Sequence, residues 1–261
     1  MNHSKLIYLG LFISTNVAAD GYTTDFESPE FGDPFGQVAG TGEWVIDNGI
    51  SDLSFIVSSW DPDGGGPLPA SQAAGLGGFY DSPGAAGTEV NLTRAVSLGL
   101  DSAEFDVDFT VISPTTSFPG VDTYGFSFKS PTSDLLRIAF EPSDGAGDLE
   151  LFWYDEADTK HSILKDIMFY GTYHLSVDFH RSGVDSMFEA AVTGTNAINF
   201  SGILAGQAGA TLTAIGADFD VVGDGDGFLA FDNLSVVPEP NTGLLLLVSA
   251  LCSCVRRRRC A

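Results

Sequence analysis

The chain has 261 residues and sets 35 acidic side chains against 11 basic ones, for a formal charge of −24 and a pI near 4.1. Such a surface repels nucleic acid and anionic lipid, which sets nucleic-acid binding aside and favours cations and neutral or cationic partners. The cysteines, Cys252, Cys254 and Cys260, all stand at the C-terminal end, so the rest has no disulfide framework and must rely on a large core or on metal.

Residues 1–19 read as a secretory signal peptide, an N-terminal helix to be removed. Lys5 forms the basic start, Leu6 to Ile13 the apolar stretch, and Val17-Ala18-Ala19 the small-residue exit before Asp20. The stretch from Asp20 to Glu239 sets six basic residues against all 35 acidic ones, so the body counted this way carries −29. Residues 20–237, roughly 220 residues, suffice for one large all-β domain.

Through that body the periodicity is that of strands. Candidates lie at 43–47 and 53–57, followed by a Gly-, Pro- and Ala-rich stretch over 61–87 that reads as a long surface loop. Trp60, just before it, is a candidate sugar-stacking ring. Further strands are expected at 89–98, 102–112, 123–129, 134–140, 148–154, 162–168, 172–183, 186–193, 198–204, 211–221 and 228–237. In 102–112, Phe105, Val107, Phe109 and Val111 alternate with Glu104, Asp106, Asp108 and Thr110. In 172–183, Tyr173, Leu175, Val177 and Phe179 alternate with His174, Ser176, Asp178 and His180. Period two with one polar row means half-buried antiparallel strands. The nearest approach to an amphipathic helix, 162–171, is short. The expected fold is an all-β two-sheet antiparallel sandwich, jelly-roll or concanavalin-like.

Several polar groupings invite chemistry. Asp218 and Asp220 fall on the wet face of a strand that leads into a Gly-rich hairpin at Asp224 to Gly227. That stretch lacks the spacing and the terminal Glu of an EF-hand. His174 and His180 are six residues apart, too far on an extended chain to share one metal at about 3.3 Å per residue. In 149–155, Trp153 shares a row with Leu149 and Leu151 and reads as core, while Phe152 and Tyr154 face the other way. No Gly-x-Ser-x-Gly, His-Glu-x-x-His or phosphate-loop pattern occurs.

Glu104, Asp106 and Asp108 resemble the Glu-x-Asp-x-Glu strand of laminarinase-type glycosidases. That resemblance implies a nucleophile and an acid/base about 5–5.5 Å apart in a retaining enzyme. Here Asp108 replaces the last Glu and shortens the acid/base arm, and the solvated-face reading is preferred. Asp232 is the odd carboxylate: strict alternation places it with Phe228, Ala230, Leu234 and Val236, where it is costly unless paired or bound to metal.

The opening Asp25-Phe26-Glu27, Trp44 and the closing 228–236 resemble the first and last strands of jelly-roll domains of the carbohydrate-binding and adhesion-module type. The resemblance implies a structural calcium ion shared by Glu27 and Asp232. Calcium suits an oxygen-rich body without cysteine.

The tail, residues 238–261, opens with Pro238-Glu239-Pro240, continues with an apolar run and ends with Arg256, Arg257, Arg258 and Arg259. The run from Thr242 to Val255 would be about 21 Å long as a helix, short for a bilayer core of roughly 30 Å. Flanking Arg side chains lengthen its reach, and they stay cytoplasmic by the positive-inside rule. This order of motifs resembles the Pro-Glu-Pro C-terminal sorting signal, PEP-CTERM, of exported bacterial proteins. It implies an exosortase as processing partner, transient anchoring in the inner membrane, and a destination at the cell surface or in extracellular polysaccharide. The expected function is non-catalytic and glycan-associated. A secreted carbohydrate-active enzyme or a protein-binding adhesion module are the alternatives.

Overall fold

The computed structural model describes residues 21–26, 38, 43–47, 54–58, 72–77, 88–112, 122–142, 148–194, 197–221 and 227–238. They form fifteen strands: β1 (Tyr22–Thr24), β2 (Trp44–Asp47), β3 (Ser54–Ser58), β4 (Gln72–Gly77), β5 (Thr88–Gly99), β6 (Ala103–Ile112), β7 (Thr123–Lys129), β8 (Asp134–Pro142), β9 (Asp148–Asp155), β10 (Lys160–Met168), β11 (Tyr173–Ser182), β12 (Asp185–Thr193), β13 (Ile198–Leu204), β14 (Thr211–Val221) and β15 (Phe228–Pro238). A short 3-10 turn, Leu100–Ser102, joins β5 to β6. The signal-peptide and tail helices expected from the sequence lie outside the described residues. Among the described residues no helix is long and apolar enough to cross a membrane.

Two antiparallel sheets result. Sheet one runs β13-β12-β11-β6-β15-β4-β3, with β1 also paired to β15, and sheet two runs β10-β9-β8-β7-β14-β5-β2. The chain crosses between them after β1, β2, β4, β5, β6, β10, β13 and β14, so the central strands of each sheet come from distant parts of the sequence. Alternation sets which side chains fill the gap. Phe105 and Phe109 of β6 meet Phe126 and Phe128 of β7 and Phe140 of β8, all at most 1 % exposed. The rings of Phe105 and Phe128 sit edge to face at 4.9 Å, and those of Phe126 and Phe231 at 5.9 Å. Truncating one such ring to Ala costs about 3–5 kcal/mol, because the cavity adds to the lost transfer energy.

Three expectations need correction. The 61–87 stretch is not loop throughout, since Gln72–Gly77 is a strand between β3 and β15. After Gln72 its residues are Ala and Gly with a single Leu, which carry little β propensity. The neighbouring ladders, not the side chains, hold it extended. Gly77 has φ 144°, and a Cβ there would lie 2.2 Å from the Gly227 carbonyl oxygen, so no side chain fits.

The second correction concerns the N-terminal motif. The first strand is Tyr22–Thr24, paired with Leu234 to Val236, and it ends before Asp25. Phe26, at φ 53°, turns inward and packs its ring against Trp44 at 5.9 Å and Phe231 at 5.3 Å.

The third concerns the last strand. Against β6, Asp232 pairs with Asp108 but Ser235 pairs with Asp106, so two residues of β15 oppose one of β6. This is a β-bulge, and Asn233 within it adopts φ 50°, a left-handed conformation that Asn tolerates better than most residues. The extra residue flips the phase. Leu229, Phe231, Leu234 and Val236 all enter the core, while Phe228 and Ala230 form a small outer cluster with Ala73 and Ile112. Asp232 therefore shares a row with Phe228 and Ala230 but not with Leu234 and Val236.

Candidate functional site

Each sheet turns a polar row outward, and the two rows differ. On sheet one, Glu104, Asp106 and Asp108 alternate with buried Phe105, Val107 and Phe109, as the solvated-face reading expects. On the next strand His174 stands opposite Asp108, Ser176 opposite Asp106 and Asp178 opposite Glu104. The His174 ring lies between two carboxylates, with Nδ1 2.8 Å from Asp108 and Nε2 3.2 Å from Asp106. Asp108 also accepts a hydrogen bond from Asn233 Nδ2 at 2.9 Å, so the bulge aims a donor at the row. Partial desolvation pushes the largely exposed Asp178 carboxyl above the ordinary range, helped by repulsion from Asp106 and Glu189. A shallow depression of about 340 Å³ lies beside it, over β11, β12 and β13.

Asp106 and Asp108 of the suggested catalytic row thus have fixed partners. Asp232, directly across from Asp108 and 1 % exposed, accepts the Asn233 backbone N–H at 2.8 Å. Its burial matches the expectation that this carboxylate needs compensation. A buried hard-oxygen donor of this kind fits calcium chemistry. Among the described residues no group of three or more His, Cys, Asp or Glu is placed to hold a metal ion. Glu27 and Trp60 lie outside the described residues, as do Glu239, Pro240 and Arg256 to Arg259. Pro238 closes β15 at the surface.

Sheet two carries the more built arrangement. Its outer face holds a cleft of about 480 Å³ over β5, β14, β7 and β8 that extends to the β9–β10 turn. Asp218 and Asp220 of β14 form part of its floor. The sequence places both on a wet face, and the structure corrects this for Asp218, which faces outward yet is 2 % exposed. Ser127 donates its hydroxyl to Asp218 Oδ1 at 3.0 Å. Arg137 reaches across β7 from β8, placing Nη2 2.7 Å from Asp220 Oδ2 and Nε 3.3 Å from Asp218 Oδ2.

Gly125 stands directly opposite Asp218, and a Cβ there would come within 2.6 Å of the Ile138 carbonyl oxygen. Glycine thus lets β7 and β8 approach closely beneath the ion pair.

Beyond Arg137 the cleft is walled by Tyr154, whose ring lies 5.7 Å from the guanidinium carbon. The Tyr154 hydroxyl donates to Glu141 at 2.8 Å, and Lys160 lies over the Phe152 ring at 3.6 Å. Burial alone would lower the Arg137 pKa, but Asp218 and Asp220 outweigh it and keep the guanidinium charged. Burial, with the bond to Glu141, holds the Tyr154 phenol protonated well above its usual range. The Asp218 carboxyl is pushed up by burial, against the pull of Arg137, Lys129 and the Ser127 hydroxyl. The result is a preorganised polar surface beside an aromatic ring.

Sequence reasoning did not find this cleft. One signal was available: only six basic residues occupy the body, and Arg137 interrupts an otherwise apolar run, Leu135 to Phe140. A lone Arg in such a strand asks which carboxylate it neutralises.

No family model matches the sequence, and no curated protein matches it. Solved structures similar to it include an alginate lyase from Klebsiella pneumoniae, with TM-score 0.48 and 9 % identity over 66 % of this chain and 82 % of that one. A lectin from Bauhinia forficata in complex with GalNAc has TM-score 0.49 and 8 % identity, covering 85 % of this chain and 100 % of that one. The CBM2 module of the evolved Dit of Lactobacillus casei BL23 phage J-1 has TM-score 0.50 and 11 % identity, covering 84 % of this chain and 96 % of that one. At that identity the likeness to the CBM2 module concerns the fold: an all-β antiparallel two-sheet sandwich.

Proposed function

We propose that this chain is an exported, non-catalytic protein of the cell surface or extracellular matrix that associates with glycan through the cleft of sheet two. The observation that carries the reading is the cleft: a ring, Tyr154, beside hydrogen-bonding groups whose positions are fixed by Arg137. Sugar rings offer apolar faces and hydroxyl edges, which match an aromatic wall next to preset donors and acceptors. The sandwich fold, shared with a CBM2 module, is compatible with this use, and a body charge of −29 favours neutral or cationic polymers over polyanions. On the other sheet, Asp106 and Asp108 share His174, which supports a non-catalytic reading of that row.

Binding to a panel of immobilised polysaccharides tests the proposal. Tyr154→Ala is expected to weaken binding at least tenfold while leaving the melting temperature within a few degrees. Absence of binding across the panel overturns it. Digestion assays on the same panel, with Glu104→Gln as control, test the enzyme alternative. Product release by the parent that is lost in the variant would replace the non-catalytic reading.

Two further parts of the proposal come from the sequence. The exosortase signal at Pro238-Glu239-Pro240 with Arg256 to Arg259 is expected to be cut in the native host and retained when the exosortase gene is deleted, as read by mass spectrometry. Calcium held by Asp232 together with Glu27 is expected to raise the melting temperature, because an ion that binds only the folded state stabilises it. An unchanged melting temperature after chelation overturns the calcium assignment.

A further inference from the structure

The cleft of sheet two also indicates which glycan it takes, an inference that rests on the glycan-binding reading above. Among the described residues only two cations, Lys129 and Arg137, line it. Both are engaged: Arg137 holds Asp218 and Asp220, and Lys129 lies 3.6 Å from Asp134. No positive charge is left over for the carboxylate of a uronic acid or for a sulfate. Around them stand Glu89, Asp134, Asp155, Glu156 and Asp158. Asp155 is held ionised by the backbone N–H groups of Thr159 and Ala157, at 2.9 and 3.0 Å. In the floor, Asp218 is a nearly fully buried carboxylate held by the Ser127 hydroxyl and paired with Arg137. With seven carboxylates against two engaged cations, the cleft is a concave anionic surface beside an aromatic ring.

We infer that the ligand is a glycan bearing free ammonium groups, a polymer of hexosamine that is at least partly without N-acetyl groups. Its ring faces meet Tyr154, and its ammonium groups meet the rim carboxylates. A neutral glycan would leave the excess negative charge of the cleft unbalanced. A polyanionic glycan would be repelled by them.

Calorimetric titration of the full chain with three trisaccharides tests this: glucosamine, N-acetylglucosamine and a uronic acid. The pH is held below the amine pKa. Glucosamine trisaccharide is expected to bind at least tenfold more tightly than the N-acetylated form, with an affinity that falls as salt rises. The uronic acid is expected not to bind. The variant Glu89→Gln/Asp134→Asn/Asp158→Asn is expected to lose at least tenfold. The variant Glu104→Gln/Asp178→Asn/Glu189→Gln, which removes equal charge from the other sheet, is expected to keep its affinity. Equal losses in the two variants would reduce the effect to general charge and overturn the inference. If the N-acetylated trisaccharide binds the cleft as well as the amine, the amine assignment fails while the glycan reading stands. If all three sugars fail to bind, the glycan reading falls with it.

Discussion

The outer rows of the two sheets begin from the same sequence pattern and end as different surfaces. β6 offers Glu104, Asp106 and Asp108, and β14 offers Asp218 and Asp220, in each case at period two. What separates them is the strand next door. β11 supplies a half-exposed histidine, which spans Asp106 and Asp108 and leaves the row open to solvent. From β8, one strand further over, comes an arginine that reaches across β7, and Asp218 lies buried beside it. An acidic row is therefore a surface or a site according to the cation that its neighbours bring.

The sharpest way to break the contrast is to remove that cation. Arg137→Met leaves Asp218 buried without its counter-charge, and is expected to cost about 3–5 kcal/mol in urea unfolding. Arg137→Met/Asp218→Leu is expected to recover much of the loss, because a packed apolar pair needs no compensation. A loss under about 1 kcal/mol in the single variant would mean that the pair is solvated like the sheet-one row.

The bulge gives the next effect. Asn233→Val places a β-branched side chain in the left-handed region, for an expected cost of about 1–2 kcal/mol. Asn233→Gly keeps the conformation and loses mainly the bond to Asp108, for about 1 kcal/mol. Equal costs for the two would show that the backbone conformation is not what matters there.

The smallest effects are pH-dependent and opposite in sign. The Asp178 pKa is raised above its ordinary 3.8 by partial desolvation and then by Asp106 and Glu189. The charged form thus weakens the folded state once pH rises through the shifted value. Asp178→Asn is expected to stabilise the protein by a few tenths of a kcal/mol at neutral pH, small because the group is exposed, with the gain vanishing below pH 3.8. The Asp155 pKa is lowered by its backbone donors, so its contribution is present above the ordinary value and lost as pH falls through the shifted one. Asp155→Asn is expected to destabilise at neutral pH and to match the parent in strong acid. Thermal melts across pH 2–8 read both variants.

Much of the fold is legible in the sequence because alternation states which face each strand buries. The expected strands at 123–129, 198–204 and 211–221 coincide with β7, β13 and β14. Legibility fails where the deciding partner is distant. Gln72–Gly77 looks like loop because its extended state is imposed by β3 and β15. Asp232 is misassigned past Asn233 because a bulge shifts phase without changing composition. The cleft is illegible for the same reason. Arg137 and Asp218 lie 81 residues apart in sequence, and only the order β8-β7-β14 brings them together.

The central claim is that ligand meets the Arg137-centred face and not the Asp106–His174–Asp108 face. Amide chemical shifts of the full chain, followed while glucosamine trisaccharide is added, test it most directly. The account predicts saturable shifts at Gly125, Ser127, Arg137, Tyr154 and Asp220, with β6, β11 and β12 unmoved. Shifts concentrated at Asp106, Asp108, His174 and Asp178 would contradict it.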